Sequence, residues 1–323
     1  VSASPVLVYY SSEFKQYQGD VLCTMALLWL TIRFRPDRHR RDAMGLAVVG
    51  AASIWLSHPA HFVLAGSGLV LWLEMARRRR WDAWRSVSVA GLVWLTSVAI
   101  HYAVFLRPMP HNAYLAHFWA TSFAPVPPRS VADLQWYGEA ALGLVYLGTG
   151  QTGTAFREVL PGWFSTPNMV LLLLSLAGGL ALGRQSARTA AMGAVSLLAV
   201  LGASALQQYP FRARLILFLV PWVFLALAAL VQQVRGLPLR RAAPWVAAAL
   251  ALAVLWTPLR LSLLVLRQPN NYQDIRGALL HIAANRQPGD HAMISSWTHP
   301  AYRFYAPRTG LADLPLFVYQ PTV

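Results

Sequence analysis

The chain has 323 residues, 12% of them charged and 56% hydrophobic, with a formal net charge of +15. A soluble domain carries roughly a quarter charged residues, so this composition excludes an ordinary water-soluble enzyme and places most of the chain in lipid. Cys23 is the only cysteine, which excludes an intrachain disulfide and a thiolate metal cluster.

A requirement of about 20 apolar residues per span divides the chain in order. Val1 to Tyr10 reads as the end of a helix already under way, and the chain as a fragment or processed product. Ser11 to Asp20 is polar. A first full span runs from Asp20 to Ile32. Met44 to Leu56 and His61 to Met75 form a hairpin that turns at Ser57-His58-Pro59-Ala60, where proline suits a sharp reversal. Val87 to Leu106 leads into a long segment from Arg107 to Thr166. Its aromatic residues, Trp119, Trp136, Tyr137, Tyr146 and Trp163, sit among small and polar ones, the composition of helices lying in the membrane interface. Further spans are expected at Pro167 to Leu182, Thr189 to Leu206, Leu215 to Val231 and Ala242 to Leu261. Beyond Arg267 the pattern predicts an amphipathic helix from Tyr272 to Ala284, a turn at Gln287-Pro288-Gly289-Asp290 and a strand from His291 to Ser295.

The expected fold is therefore an all-α polytopic membrane protein with about eight spans and interfacial helices. Residues 1–266 form its transmembrane domain, including the loop 107–166, and residues 267–323 a small extracytoplasmic α/β unit. The arginines cluster in alternate gaps: Arg33 to Arg41, Arg77 to Arg85, Arg184 with Arg188, and Arg235 with Arg240 and Arg241. Basic loops are retained in the cytoplasm, so these gaps orient the chain. The same distribution speaks against nucleic acid, which would call for one basic face.

Several segments carry a resemblance. Tyr9-Tyr10-Ser11-Ser12-Glu13-Phe14-Lys15-Gln16-Tyr17 is similar to the Tyr-Ser-x-Glu-x-Lys-x-Tyr segment of bacterial family 39-like GT-C glycosyltransferases, relatives of the protein O-mannosyltransferases. Ile54 to Ala60 resembles that group's hairpin turn, and Tyr209-Pro210-Phe211-Arg212-Ala213-Arg214 its Tyr-Pro-Phe-x-x-Arg segment before a late helix. Asp274-Ile275-Arg276, Gln287 to Asp290 and Ala301 to Pro307 resemble its tail. The likeness covers nearly the whole chain. It implies a GT-C-like bundle in the bacterial inner membrane that moves a sugar from a polyprenyl-phosphate carrier to an extracytoplasmic acceptor. It also implies an essential acid in a first loop that would lie upstream of Val1, so the chain alone is expected to be inactive.

Glycosyl transfer to a hydroxyl needs a base for the acceptor proton and positive charge, from arginine or a divalent cation, for the departing phosphate. Glu13 and Asp20 are the candidate catalytic carboxylates. Lys15, Tyr17, His58, Tyr209, Arg212 and Arg214 are the candidate substrate-binding residues. Were the helix to begin near Ser11, Glu13 and Tyr17 would share a face at i and i+4. Asp20 has a simpler reading, an acidic N-cap at the start of a span. Arg212 and Arg214 stand at the outer end of a span, against the positive-inside trend, where they would hold the carrier's phosphate or else pair with interfacial headgroups of membrane lipids or with an acidic residue such as Glu139 or Glu158. His58 and His61 make a weak metal signal, and His101, His111 and His117 a weaker one. Glu74, beside four arginines, reads as an ion pair. No Walker lysine, zinc cluster or Gly-x-Ser-x-Gly elbow occurs. A transporter of lipid-linked sugar and a non-catalytic membrane scaffold are the competing readings.

Overall fold

The computed structural model describes residues 4–12, 15–108, 117–150, 166–238, 241–268 and 274–319. Glu13, His111, Glu158, Trp163, Arg240 and Tyr272 lie outside the described residues. Helices make up 78% of the structure. They fall into two compact units, Val1–Arg267 and Gln268–Val323.

In the first unit, a short α1 (Pro5–Ser12) precedes α2 (Tyr17–Arg33), α3 (His39–Leu56), α4 (Ala60–Arg77) and α5 (Trp81–His101). A helix in the long loop, α6 (Val131–Thr149), comes next. Then follow α7 (Thr166–Gln185), α8 (Ala187–Ala205), α9 (Val220–Arg235) and α10 (Ala243–Arg267). Among the described residues, four stretches are long and apolar enough to cross a membrane: Trp81–Leu106, Ala187–Ala205, Ala213–Arg235 and Ala243–Arg267. The other four expected spans are also helical but shorter in their apolar part. α2 has 17 residues, and α3 starts inside the basic segment at His39 rather than at Met44.

Burial in this unit suits a lipid surround. Leu22, Leu95, Leu180, Leu198 and Trp245 are exposed on helix faces, while Thr24, Thr31, Ser53, Ser67 and Ser196 are buried between helices. Four of those hydroxyls satisfy themselves locally by donating to the carbonyl one turn back: Thr24 to Asp20, Thr31 to Leu27, Ser53 to Val49 and Ser67 to Val63. Small polar residues cost little inside a helix bundle in lipid and let backbones approach.

Glycines take that approach to its limit at two crossings. A Cβ on Gly66 of α4 would stand 2.4 Å from Ser196 Oγ and 2.6 Å from the Met192 carbonyl of α8. One on Gly178 of α7 would stand 2.2 Å from the Ala226 carbonyl of α9. Backbone cannot yield as a side chain can, so Gly66→Ala is expected to cost about 1–3 kcal/mol. Thermal unfolding in detergent checks it; an unchanged midpoint would refute the crossing.

α2 also corrects an expectation. Its N-cap is Gln16, so Asp20 is not the cap but lies within the first turn. Nor is the helix continuous from Ser11, because α1 ends at Ser12 and Lys15 and Gln16 form a bend and turn. The shared Glu13–Tyr17 face rests on Glu13, which lies outside the described residues.

The second unit contains α11 (Ile275–Asn285), β1 (Ala292–Ser295), α12 (His299–Tyr305) and β2 (Leu316–Tyr319). Asp274 caps α11 by accepting the Gly277 N–H at 2.8 Å. The two strands pair in parallel, Ala292 opposite Leu316, which requires a crossover, and α12 lies in it. Leu279, Tyr302, Ala306, Leu311 and Leu314 form the core. The sequence pattern had shown only the helix and the first strand.

Candidate functional site

The site forms where α2 begins, at the end of that helix remote from Arg33. Gly19 lies beside the Leu56 carbonyl, which brings the start of α2 against the turn between α3 and α4. Asp20 is 3% exposed, and the Ser57 hydroxyl of that turn faces its carboxylate. Neither Asp20 Oδ1 nor Ser57 Oγ has a hydrogen-bond partner. A buried carboxylate oxygen left unsatisfied is costly, and such groups call for an explanation.

A second element closes on the same place. The segment before α9 runs through Tyr209, Arg212 and Arg214 into a 3-10 helix, Ala213–Leu219. The Arg214 guanidinium lies over the Tyr17 ring, 5.7 Å from its centroid, and its Nε is buried without a partner. Tyr209 stacks edge-on against Phe62 of α4 and donates its hydroxyl to the Leu215 carbonyl at 2.9 Å. Burial, and then the charges of Asp20 and Tyr17, hold the Tyr209 phenol well above its ordinary pKa, so it stays protonated.

Backbone geometry separates the two arginines. Arg212 is extended, and Ala213 follows with φ 47°, a left-handed conformation unusual for alanine. One arginine consequently turns toward Tyr17, while the other is exposed and donates to Thr121 Oγ1 at 3.3 Å. The neighbouring Phe211 N–H bonds the Ser122 carbonyl at 2.8 Å, tying this segment to the long loop. Strain of this kind gathers at sites where side-chain direction matters.

Of the residues expected from sequence, Asp20, Tyr17, Tyr209 and Arg214 therefore come together. Arg212 faces the long loop and Lys15 is exposed in the bend before α2. His58 adjoins a histidine group instead. His101, at the end of α5, is 6% exposed and has its ring 5.8 Å from that of His58 and 6.3 Å from that of His61. Its Nδ1 is buried without a partner. In sequence His101 carries little information; its position about one turn from a span end, on the same side as the hairpin turn, is the available signal. Among the described residues no group of three or more His, Cys, Asp or Glu side chains is arranged to hold a metal ion.

Desolvation, together with His101 and His61, depresses the His58 pKa below its ordinary 6.5. The unfolded chain then takes up this proton first as pH falls. Stability is accordingly expected to be flat above 6.5 and to decline as pH drops from 6.5 through the folded value. His58→Gln should remove part of that decline in an unfolding series against pH; an unaltered slope would refute the assignment.

No family model, curated protein or solved structure matches the chain.

Proposed function

We propose that the chain belongs to an integral-membrane glycosyltransferase of GT-C-like architecture, which moves a sugar from a polyprenyl-phosphate carrier to an acceptor hydroxyl. The observation that carries this reading is the meeting of two segments far apart in the sequence at Tyr17: the Arg214 guanidinium, its Nε unpaired, lies over the Tyr17 ring, and Asp20, buried with Oδ1 unpaired, follows one turn along the same helix. Their position at the end of α2 away from the arginine groups supports a reaction on the extracytoplasmic side, by the retention of basic loops in the cytoplasm. That side of a bacterial inner membrane is also where the segment resemblances lead.

In this mechanism the acceptor oxygen attacks the anomeric carbon of the carrier-linked sugar. The bond from that carbon to the phosphate oxygen breaks, and the phosphate departs with its electron pair. Asp20 takes the acceptor proton, with Glu13 as the alternative base. Arg214 stabilises the developing phosphate charge and Arg212 meets the carrier at the rim. Tyr17 and Tyr209 position the guanidinium and the sugar, and Lys15 and His58 lie at the approach.

The test uses the protein reconstituted in liposomes with a panel of synthetic polyprenyl-phosphate monosaccharides and membrane extract as acceptor. Mass spectrometry follows polyprenyl phosphate released as sugar is transferred. Release that depends on Asp20 and Arg214 supports the reading. Movement of intact carrier between leaflets without release would replace it with a transporter, and neither activity would leave a scaffold.

A further inference from the structure

The opposite end of α2 holds a second charged site, independent of the one above. Between the end of α2, the 3-10 turn Pro36–Arg38 and the start of α3 lies a cleft of about 380 Å³. Arg33, Arg35, Arg38 and Arg41 all line it. Among the described residues no carboxylate lies within ion-pair distance of any of the four guanidiniums. The one acidic residue in the lining, Asp42, accepts the backbone N–H of Arg35 at 2.8 Å and so holds the turn that gathers the arginines.

The remaining wall is apolar. Trp29 is 55% exposed and carries the Arg33 guanidinium 4.9 Å above its ring, with Leu30 beside it. Tryptophan at the level where an apolar helix ends is the usual interfacial anchor, and guanidinium forks match phosphate oxygens. A topology signal requires only that basic residues follow the span; it does not require four of them to converge on one cleft with an aromatic wall.

We propose that this cleft binds the phosphate of an anionic lipid headgroup, with the acyl chains running along the exposed apolar face of α2. The shared chemistry with a free phosphate is a multiply charged oxyanion; the Trp29 and Leu30 wall, at the level where α2 leaves its apolar stretch, favours the lipid.

Native mass spectrometry of the detergent-solubilised chain, titrated with phosphatidic acid or with phosphatidylcholine of the same acyl chains, tests it. Phosphatidic acid is expected to bind about tenfold or more tightly than phosphatidylcholine. Arg35→Gln/Arg38→Gln/Arg41→Gln should abolish that preference, while Arg77→Gln/Arg79→Gln/Arg80→Gln, with the same change of charge at another basic segment, should keep it. Equal loss in both triple variants would overturn the site in favour of general charge attraction. Arg38→Lys/Arg41→Lys keeps charge and topology signal but not the forks, and should weaken the preference severalfold; full retention would likewise overturn it. Inorganic phosphate displacing the lipid mole for mole would overturn the lipid assignment.

Discussion

Arg188→Ala is expected to lower the stability of the helical unit by about 3 kcal/mol or more. Arg188 at the start of α8 grips Glu74 of α4 through both guanidinium edges, Nε to Oε2 at 2.7 Å and Nη2 to Oε1 at 2.8 Å. Its remaining Nη1 donates to the carbonyls of Thr31, Ile32 and Phe34 at 3.2, 3.3 and 2.9 Å where α2 ends, the first of which also accepts the Phe34 N–H. The two side chains are 19% and 17% exposed, so water replaces the lost partners only in part. Arg78, which also pairs with Glu74, is 64% exposed and contributes little by comparison. Removing Arg188 leaves Glu74 with only the exposed Arg78 and takes the side-chain donor from the Ile32 and Phe34 carbonyls. Arg188→Lys should recover only part of the loss, because an ammonium cannot fork to Glu74 while reaching α2. Thermal unfolding of the detergent-solubilised chain decides it, and a midpoint unmoved by Arg188→Ala would refute the latch. Glu74 had been expected to pair with the arginines that follow it; its stronger partner lies 114 positions away.

Asp20→Asn is expected to reduce sugar transfer by roughly 10²–10⁴-fold while leaving stability equal or raised. The two effects separate function from structure. A carboxylate kept for packing would have its oxygens satisfied, and neutralising it would lose those bonds. Asp20 Oδ1 has no partner in an environment that excludes water, so the neutral amide relieves a desolvation cost. The same change removes the group that accepts the acceptor's proton. Arg214→Gln should also depress transfer, since the leaving phosphate loses its countercharge. A loss of stability in Asp20→Asn with transfer intact would make Asp20 structural and remove it from the mechanism.

Much of the helical layout could be read from the residues in order, because a helix in lipid satisfies its backbone internally and needs only a sufficient local run of apolar side chains. The stretches Trp81–Leu106 and Ala243–Arg267 are of that kind, as is the turn at Ser57 to Ala60. The start of α2 was less legible, since Lys15 and Gln16 are as polar as the helical turn that follows them. β2 was missed because a four-residue strand exists only through its pairing with β1.

Side-chain roles depended on partners that no local pattern reveals. Arg188 and Arg214 are equally basic in sequence, yet one closes on Glu74 and the end of α2, and the other on Tyr17 near Asp20. Arg212 and Arg214 differ by a single left-handed residue between them. Composition and hydropathy determined the solvent, the helices and where basic residues gather, since those follow from what each residue prefers by itself. Tertiary structure decided which charges are buried, paired or left open, because electrostatic energy depends on distance and local dielectric, and only the packed helices set those.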